Sequence, residues 1–186
     1  MSDPCSARDE SVPLMTAAEL DECLSRLAAD LAARHGSCEN IALIGIQRRG
    51  ALIAERLHSL MLSAPGRDIP VGSLDITLYR DDWTAGAIKP VIRKTDIPFD
   101  VEGKNLILVD DVLFTGRTVR AAMEALADFG RPGRVELLAL VDRGHRELPI
   151  HPDYVGVRLA TDKNDRVDVL LSPLDGEDGV RLVLGR

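Results

Sequence analysis

One stretch of the chain combines aliphatic, acidic, hydroxyl and glycine residues in an order that suits binding of a sugar phosphate. The aliphatic run Leu106–Val109 leads into two adjacent carboxylates, Asp110 and Asp111, and then into the loop Phe114–Thr118, which contains two threonines and a glycine. A helix that begins after such a loop offers a phosphate its unpaired N–H groups and the positive end of its dipole. Neighbouring carboxylates accept hydrogen bonds from vicinal hydroxyl groups, directly or through Mg²⁺. The stretch therefore suits a sugar 5-phosphate with free 2- and 3-hydroxyl groups.

Each half of this stretch also has a purely structural interpretation. Asp110 and Asp111 can simply end a strand, and the Thr-Gly-x-Thr sequence at 115–118 can simply cap a helix. The two halves occur together between a predicted buried strand and a predicted helix, which favours the functional interpretation. Two other phosphate-binding patterns, GxGxxG and GxxxxGK followed by Ser or Thr, do not occur in the sequence.

The composition is typical of one α/β domain and excludes several other classes of protein. The 186 residues are 45% hydrophobic and 28% charged, so a sizeable core can form. The net charge of −7 does not suit non-specific binding to nucleic acid or to an anionic membrane, although it allows a local basic face. Cys5, Cys23 and Cys38 occur without a CxxC pair, so neither a disulfide framework nor a zinc site is indicated.

The location predicted from the sequence is the cytoplasm. The longest apolar runs are far shorter than the roughly 18 residues that a membrane span needs. The N-terminus carries Asp3, Asp9 and Glu10 and lacks the basic and apolar regions of a signal peptide. We therefore expect no membrane association.

Alternating strand and helix patterns predict an α/β fold with a mostly parallel central sheet, helices on both faces, and ligands at the carboxyl ends of the strands. Residues 1–13 show no periodicity and are predicted to form a flexible tail, with a single domain over 14–186. Thr16 and Glu19 form a capping box before a helix that ends near His35. The other predicted elements are strands at 41–46, 71–79, 106–109, 134–141, 154–159, 167–171 and 180–184, and helices at 51–62 and 117–129.

Four stretches of the sequence resemble a known family. Val109–Thr118 resembles the phosphoribosyl-diphosphate (PRPP) signature of the type I phosphoribosyltransferases. Gly45–Gly50, Asp75–Asp82 and Val141–Ile150 resemble the bifunctional proteins that regulate pyrimidine operons and act as uracil phosphoribosyltransferases. The similarity covers about residues 14–184, and its most diagnostic part is Val141–Ile150. It implies the type I phosphoribosyltransferase fold with a small hood.

The resemblance implies a reaction that joins N1 of uracil to C1 of PRPP, forms UMP and releases diphosphate. Because the transition state resembles an oxocarbenium ion, the site must neutralise the departing diphosphate and leave the ribose cationic. Asp110 and Asp111 are the expected catalytic residues at the ribose hydroxyls and, indirectly, at the Mg²⁺ that accompanies PRPP. The residues expected to cradle the 5-phosphate are Val112, Leu113, Phe114, Thr115, Gly116, Arg117 and Thr118.

The family also implies a diphosphate site and a lid. Arg48 and Arg49 lie between a strand and a helix, where N–H groups and guanidinium groups can bind diphosphate, although ordinary surface charge is the alternative. Residues 80–103 have no periodicity and are expected to close over PRPP and exclude water. Arg80 is the expected catalytic contact with leaving-group charge, and Arg93 is a further substrate-binding candidate.

A hood at about residues 141–160 is expected to hold the pyrimidine. Val141, Asp142 and Arg143 are its substrate-binding candidates, with backbone groups pairing to the edge of uracil. His145 is expected to be structural rather than a general base. A purine-type phosphoribosyltransferase, the remaining alternative enzyme, shares the PRPP loop but not the hood sequence.

The family's second role is UMP-dependent binding of pyrimidine-operon leader RNA, which promotes transcription attenuation. Family members carry Thr and His on the first helix where this chain has Ser25 and Ala29, and two usual basic residues near the hood are replaced by His151 and Val157. Fewer cations weaken phosphate contacts, so we expect the enzyme role to outrank the regulatory one. The RNA-binding candidates are Ser25, Arg26, His145 and Arg146, with Arg34, Arg143 and Lys163 as further cations. The resemblance also implies a homodimer or homotetramer.

Overall fold

The computed structural model describes residues 11–62, 69–79 and 94–185. Its strands are β1 Ser11–Met15, β2 Ile41–Ile46, β3 Val71–Leu74, β4 Asn105–Leu113, β5 Arg134–Asp142, β6 Tyr154–Arg158, β7 Arg166–Leu170 and β8 Gly179–Val183. Its helices are α1 Ala17–His35, α2 Arg49–Met61 and α3 Arg117–Leu126. Of the helices in the described ranges, none combines the length and apolarity that crossing a membrane requires.

A parallel five-stranded sheet forms the centre of the fold, in the order β3-β2-β4-β5-β6. Helices α1 and α2 pack on one face, where Leu27 and Leu57 are fully buried with Leu43 of β2. Helix α3 covers the other face, where Ala122 packs in a cluster with Leu108 of β4. Because helices cover both faces of the sheet, the inner strands have continuous apolar sequences. The predicted fold class is confirmed.

The parallel order brings three loops to one edge of the sheet. Strand β4 lies between β2 and β5, so the segments that follow these three strands are neighbours at the carboxyl edge. Ligands of open parallel sheets bind at this edge. The loops predicted to bind diphosphate, the 5-phosphate and the base therefore share one region of the molecule.

A second, antiparallel sheet has the order β1-β8-β7. Strand β1 pairs with β8, with Val12 opposite Leu182, so residues 11–13 are part of this sheet and not of a flexible tail as predicted. The partner strand lies about 170 residues later, so no local periodicity could indicate the pairing. Val169 and Val180 of this sheet are buried in the same cluster as α1 and α2.

Two strand ends differ from the predictions by more than one residue. Strand β3 ends at Leu74 and is followed by a 3₁₀ turn at Thr77–Tyr79, because the Asp75 carboxylate accepts a hydrogen bond from the N–H of Thr77 (2.9 Å) and competes with the strand. Strand β4 continues past Val109 to Leu113, since its pairing with β5 continues. Asp110 and Asp111 therefore lie inside a strand and not after its end.

A buried carboxylate, Glu136 of β5, anchors the end of α1. Its Oε2 accepts a hydrogen bond from the Tyr154 hydroxyl (2.7 Å) and lies 3.2 Å from His35 Nε2, while its Oε1 lies 2.9 Å from Arg134 Nε. Burial opposes ionisation, but Tyr154, His35 and Arg34 together hold the pKa of Glu136 below its ordinary value. The charged form is therefore the one that stabilises the fold.

We expect Glu136→Gln to lower stability at neutral pH by about 1–3 kcal/mol, because charge-assisted hydrogen bonds are lost. A depressed pKa gives stability that is present above the unfolded-state pKa and lost as the pH falls through the folded-state pKa. The variant should therefore lose less stability than the wild type on acidification from about pH 5. Urea unfolding across this range measures the difference.

The matched control is Glu124→Gln, which removes an exposed carboxylate that is ion-paired with Arg120 four residues away. Its stability should stay within about 0.5 kcal/mol of wild type at every pH. Equal pH dependence of the Glu136→Gln variant and the wild type would contradict the role given to Glu136.

Candidate active site

The two carboxylates sit on adjacent residues of the central strand. Asp110 is 4% exposed, and its backbone pairs with Ala139 of β5, while Asp111 is half-buried. The Asp111 N–H donates to Asp110 Oδ1 (3.1 Å), which orients the first carboxylate towards its neighbour. Side chains of successive strand residues point to opposite faces, so the two carboxylates lie on opposite sides of the strand.

Burial raises the pKa of Asp111, and the positive charge of Arg49 opposes this effect only in part. A partly desolvated carboxylate gains more from a hydroxyl donor than a hydrated one does, because it has fewer water contacts to lose. Asp111 is thus suited to accept hydrogen bonds from a sugar.

The segment that joins β2 to α2, together with the first residues of that helix, spans residues 47–50 and packs against the carboxylate strand at Gly50. A Cβ on Gly50 would lie 2.4 Å from the Val109 carbonyl oxygen and 3.3 Å from Asp110 Cα, so only glycine allows this approach. Gly45 serves the same purpose, because a Cβ there would lie 2.3 Å from Ala51 Cα. The Gln47–Arg48 peptide bond between them is cis. The start of α2 is therefore held directly beside Asp110.

The two arginines of this segment have different surroundings. Arg48 is exposed, as expected of a residue that meets a diphosphate from solvent. Arg49 instead forms a bidentate ion pair with Asp175, with Nη2–Oδ1 and Nε–Oδ2 distances of 2.8 and 3.2 Å. Asp175 lies between β7 and β8, in a region where sequence reasoning found no chemistry. No local signal connects two residues that are 126 positions apart.

The predicted phosphate loop closes with a glycine in the left-handed region. Gly116 has φ 95° and is the N-cap of α3, and its carbonyl accepts the N–H of Arg120 (2.9 Å). The Thr115 carbonyl accepts two N–H groups of the hood, from Glu147 (3.0 Å) and Leu148 (3.2 Å). These bonds hold the loop against the hood and leave the start of α3 at the carboxyl edge, where a phosphate would meet its N–H groups.

Arg146 ties the hood to this loop. Its guanidinium donates to the carbonyls of Phe114 (2.8 Å), Gly144 (3.0 Å) and Ile150 (3.1 Å) and to the Asp142 carboxylate (2.6 Å). The side chain is 16% exposed. The donors of Arg146 are thus used within the protein, and its predicted contact with RNA stays a prediction.

The buried side chains of Arg143 and Val141 form part of the interior of the hood. Arg143 is 5% exposed, donates to the carbonyls of Asp165 (2.6 Å) and Asp162 (2.8 Å), and lies over the Phe114 ring at 4.2 Å from its centroid. Val141 is fully buried and pairs with β4. The side chains of Val141 and Arg143 therefore shape the hood, and any contact of these residues with a base falls to backbone groups, as the sequence predicted.

His145 agrees with the structural role expected of it. Its Nε2 lies 2.6 Å from the Thr161 carbonyl oxygen, and its ring meets the edge of Phe114 at a centroid distance of 5.8 Å. Arg80 and Arg93, the predicted lid contacts, lie outside the described residues, as does most of the lid. Its end is anchored to β3, where Ser73 and Asp96 exchange backbone hydrogen bonds of 2.8 Å.

Comparison with known proteins places this arrangement in a family. The sequence profile described as "Phosphoribosyl transferase domain" matches residues 18–171. A protein of Elusimicrobium minutum named bifunctional protein PyrR is 51% identical over 166 residues, which cover 89% of this chain and 93% of that protein. The protein of the same name from Deinococcus deserti is 52% identical over 169 residues, covering 91% and 92%. The chain belongs to the PyrR family of phosphoribosyltransferases. The predicted family and enzyme class are confirmed.

Solved structures support the fold. The chain superposes on the hypoxanthine phosphoribosyltransferase of Staphylococcus aureus with a TM-score of 0.69 and 20% identity, covering 98% of this chain and 97% of that one. The corresponding enzyme of Trypanosoma cruzi gives a TM-score of 0.70 at 16% identity, covering 94% and 97%. At these identities the likeness concerns the fold alone.

We expect Gly50→Ala to weaken PRPP binding by this PyrR-family protein. Its Cβ would force the start of α2 away from Val109 and so move Arg49 from its place beside the carboxylate strand. Strain of this kind costs about 1–3 kcal/mol and outweighs the gain in helix propensity. Urea unfolding and the KM for PRPP measure the two effects.

The control is Gly36→Ala, since a Cβ on Gly36 meets no atom within 4 Å, although its φ of 55° is strained for alanine. This variant should lose some stability and keep the wild-type KM. An unchanged KM in Gly50→Ala would show that the close approach at Val109 does not matter to the site.

Proposed function

We propose that this protein transfers the phosphoribosyl group of PRPP to N1 of uracil, forming UMP and diphosphate. One observation carries the proposal. The Asp110–Asp111 pair lies on the strand that leads into the loop at 114–116 and the start of α3, and the start of α2 packs against the same strand at Gly50. A ligand at this edge meets carboxylates, helix N–H groups and arginines in the order that the ribose, the 5-phosphate and the diphosphate of PRPP require.

Each group then has a defined task. Asp110 and Asp111 accept the ribose hydroxyls, and their charge favours the positive charge that develops on the ring as the bond to diphosphate breaks. The N–H groups at the start of α3 and the hydroxyls of Thr115 and Thr118 bind the 5-phosphate. Arg48 and Arg49 bind the departing diphosphate. The electron pair of the broken C1–O bond leaves with diphosphate, and uracil N1 supplies the pair for the new bond. The proton of N1 passes to the released diphosphate or to water.

Magnesium enters with PRPP in this proposal. In the ranges that the structure describes, no group of three or more His, Cys, Asp or Glu side chains could hold a metal ion by itself. The donor set at the carboxyl edge, two carboxylates, fits an ion whose other ligands are the oxygens of PRPP. Bound there, Mg²⁺ would neutralise diphosphate charge, and Asp110 and Asp111 would orient the hydroxyls of the same substrate.

Steady-state kinetics of Asp111→Asn test the reaction and the role of the pair together. We expect the loss of one well-placed transition-state group to cost about 2–4 kcal/mol, which lowers the rate about 30- to 1000-fold. Asp168→Asn is the matched control, since Asp168 pairs only locally with Arg166 on the small sheet. A wild-type rate in the Asp110→Asn, Asp111→Asn double variant would end the assignment, and preference for hypoxanthine over uracil would favour the purine-type alternative.

We further propose that the protein binds the leader RNA of pyrimidine operons when UMP is present. Support comes from relatives that are named bifunctional and match almost the whole chain. The exposed face of α1 carries Ser25 and Arg26, and Arg34 follows on the same helix beside a groove with Arg158. Arg143 and Arg146 are turned into the hood. We therefore expect the α1 face, Arg158 and the exposed His145 to make the contacts with RNA.

A gel-shift titration against salt measures this second role. We expect UMP to tighten binding of a leader hairpin, and Arg26→Gln to reduce the slope of log K against log salt by about one. Arg181→Gln, which changes an exposed cation on the small sheet, should leave the slope unchanged. The absence of any shift at moderate salt would limit the protein to its enzyme role.

Sedimentation of the same samples tests the expected dimer or tetramer.

A further inference from the structure

The connection between β7 and β8 is bound to helix α2 at two points. Asp175 pairs with Arg49 at the start of the helix, and Asp178 pairs with Arg56 at 2.7 Å. The two arginines are seven residues apart, which places them on one face of α2. Arg56 also donates to the Ser172 carbonyl (2.9 Å), so this second contact fastens the connection whether or not Arg49 is engaged.

The first contact differs from the second in its geometry. The Arg49–Asp175 pair is bidentate, and Asp175 Oδ2 also accepts the N–H of Leu171 (2.9 Å), whose side chain is fully buried. The Asp175 carboxylate is therefore held from behind by the backbone of the core. Two parallel N–H···O bonds fix the plane of a guanidinium group as well as its position.

Arg49 has a second carboxylate within its electrostatic reach. Gly50, its neighbour, packs on the backbone of Val109 and Asp110, and the charge of Arg49 acts on Asp111. Without Asp175, the guanidinium would lose the fixed plane and position that the bidentate pair gives it at the start of α2. A cation without a fixed position would be poorly aligned with the diphosphate, while the carboxylates that face the ribose would be unchanged.

We propose that Asp175 is a positioning residue for PRPP: it holds Arg49 at the diphosphate position. This inference rests on the proposed function of the carboxyl edge. Asp175 touches no substrate and acts only through Arg49. It links the small antiparallel sheet to the site, which gives the C-terminal strands a part in substrate binding.

The test compares ligand affinities in Asp175→Asn, a change that removes the charge and keeps one oxygen for the Leu171 N–H. Calorimetric titration with Mg²⁺ and PRPP should show binding weakened about tenfold. Titration with UMP, which has no diphosphate, should give the wild-type affinity within about twofold. In steady-state assays the KM for PRPP rises by the same factor and the KM for uracil does not change.

Asp178→Asn is the matched control, because it weakens the other attachment of the same connection and leaves Arg49 paired. It should lower the melting temperature about as much as Asp175→Asn and leave PRPP affinity unchanged. Asp175→Glu, which keeps the charge one methylene further out, should recover part of the PRPP affinity. If Asp175→Asn does not fold, the same titrations of Asp175→Glu test the inference.

A third comparison asks whether Asp175 acts through Arg49. In an Arg49→Gln background, Asp175→Asn should have no further effect on PRPP affinity, since the positioned group is already absent. Unchanged or tighter PRPP binding in Asp175→Asn, an equal loss of UMP affinity, or additive effects in the double variant would each overturn the inference. A wild-type protein that forms no UMP from uracil would overturn the proposed function instead, and the titrations separate the two results.

Discussion

The contact between Gly50 and the backbone of Val109 and Asp110 is the constraint on which the rest of the site depends. Parallel strands β2 and β4 lie side by side, but their following segments converge only if the chain after β2 turns back onto β4 without a side chain between them. Glycines at 45 and 50 make this possible. A cation and two carboxylates thereby share a small region at the sheet edge, and each changes the electrostatic surroundings of the other.

The hood and the phosphate loop behave as one structural unit. Arg146 donates to carbonyls on both, the Thr115 carbonyl accepts N–H groups of the hood, and the Arg143 guanidinium covers the Phe114 ring. A loop with so many backbone groups at a sheet edge would otherwise be costly to order, because each residue loses conformational entropy. The internal use of two arginines lowers that cost before substrate arrives, which is how a binding site is pre-organised. It also removes two cations from the surface that could contact RNA.

The site is also connected to both sheets. The parallel sheet supplies the carboxylates and the three loops, while the antiparallel sheet supplies Asp175, the partner of Arg49. Because Val169, Leu171 and Val180 are buried in the core shared with α1 and α2, the small sheet is fixed relative to the helix that carries Arg49. A residue on the small sheet can therefore set the position of an arginine beside the carboxylate strand.

The sequence alone determined the order and type of nearly all elements, the parallel sheet, the carboxylate pair and the family, because these depend on local signals: apolar runs, a capping box at Thr16–Glu19, and contiguous motifs. Tertiary structure decided where strands end and which charges are used internally. Strand β4 runs on to Leu113 because β5 is there to pair with it, and β1 exists because β8 lies beside it. The partners of Arg49 and Arg146 come from chain segments that only folding brings within hydrogen-bond distance. An arginine in a motif looks the same in a sequence whether it faces a ligand or a carbonyl oxygen, since that choice depends on neighbours and not on spacing.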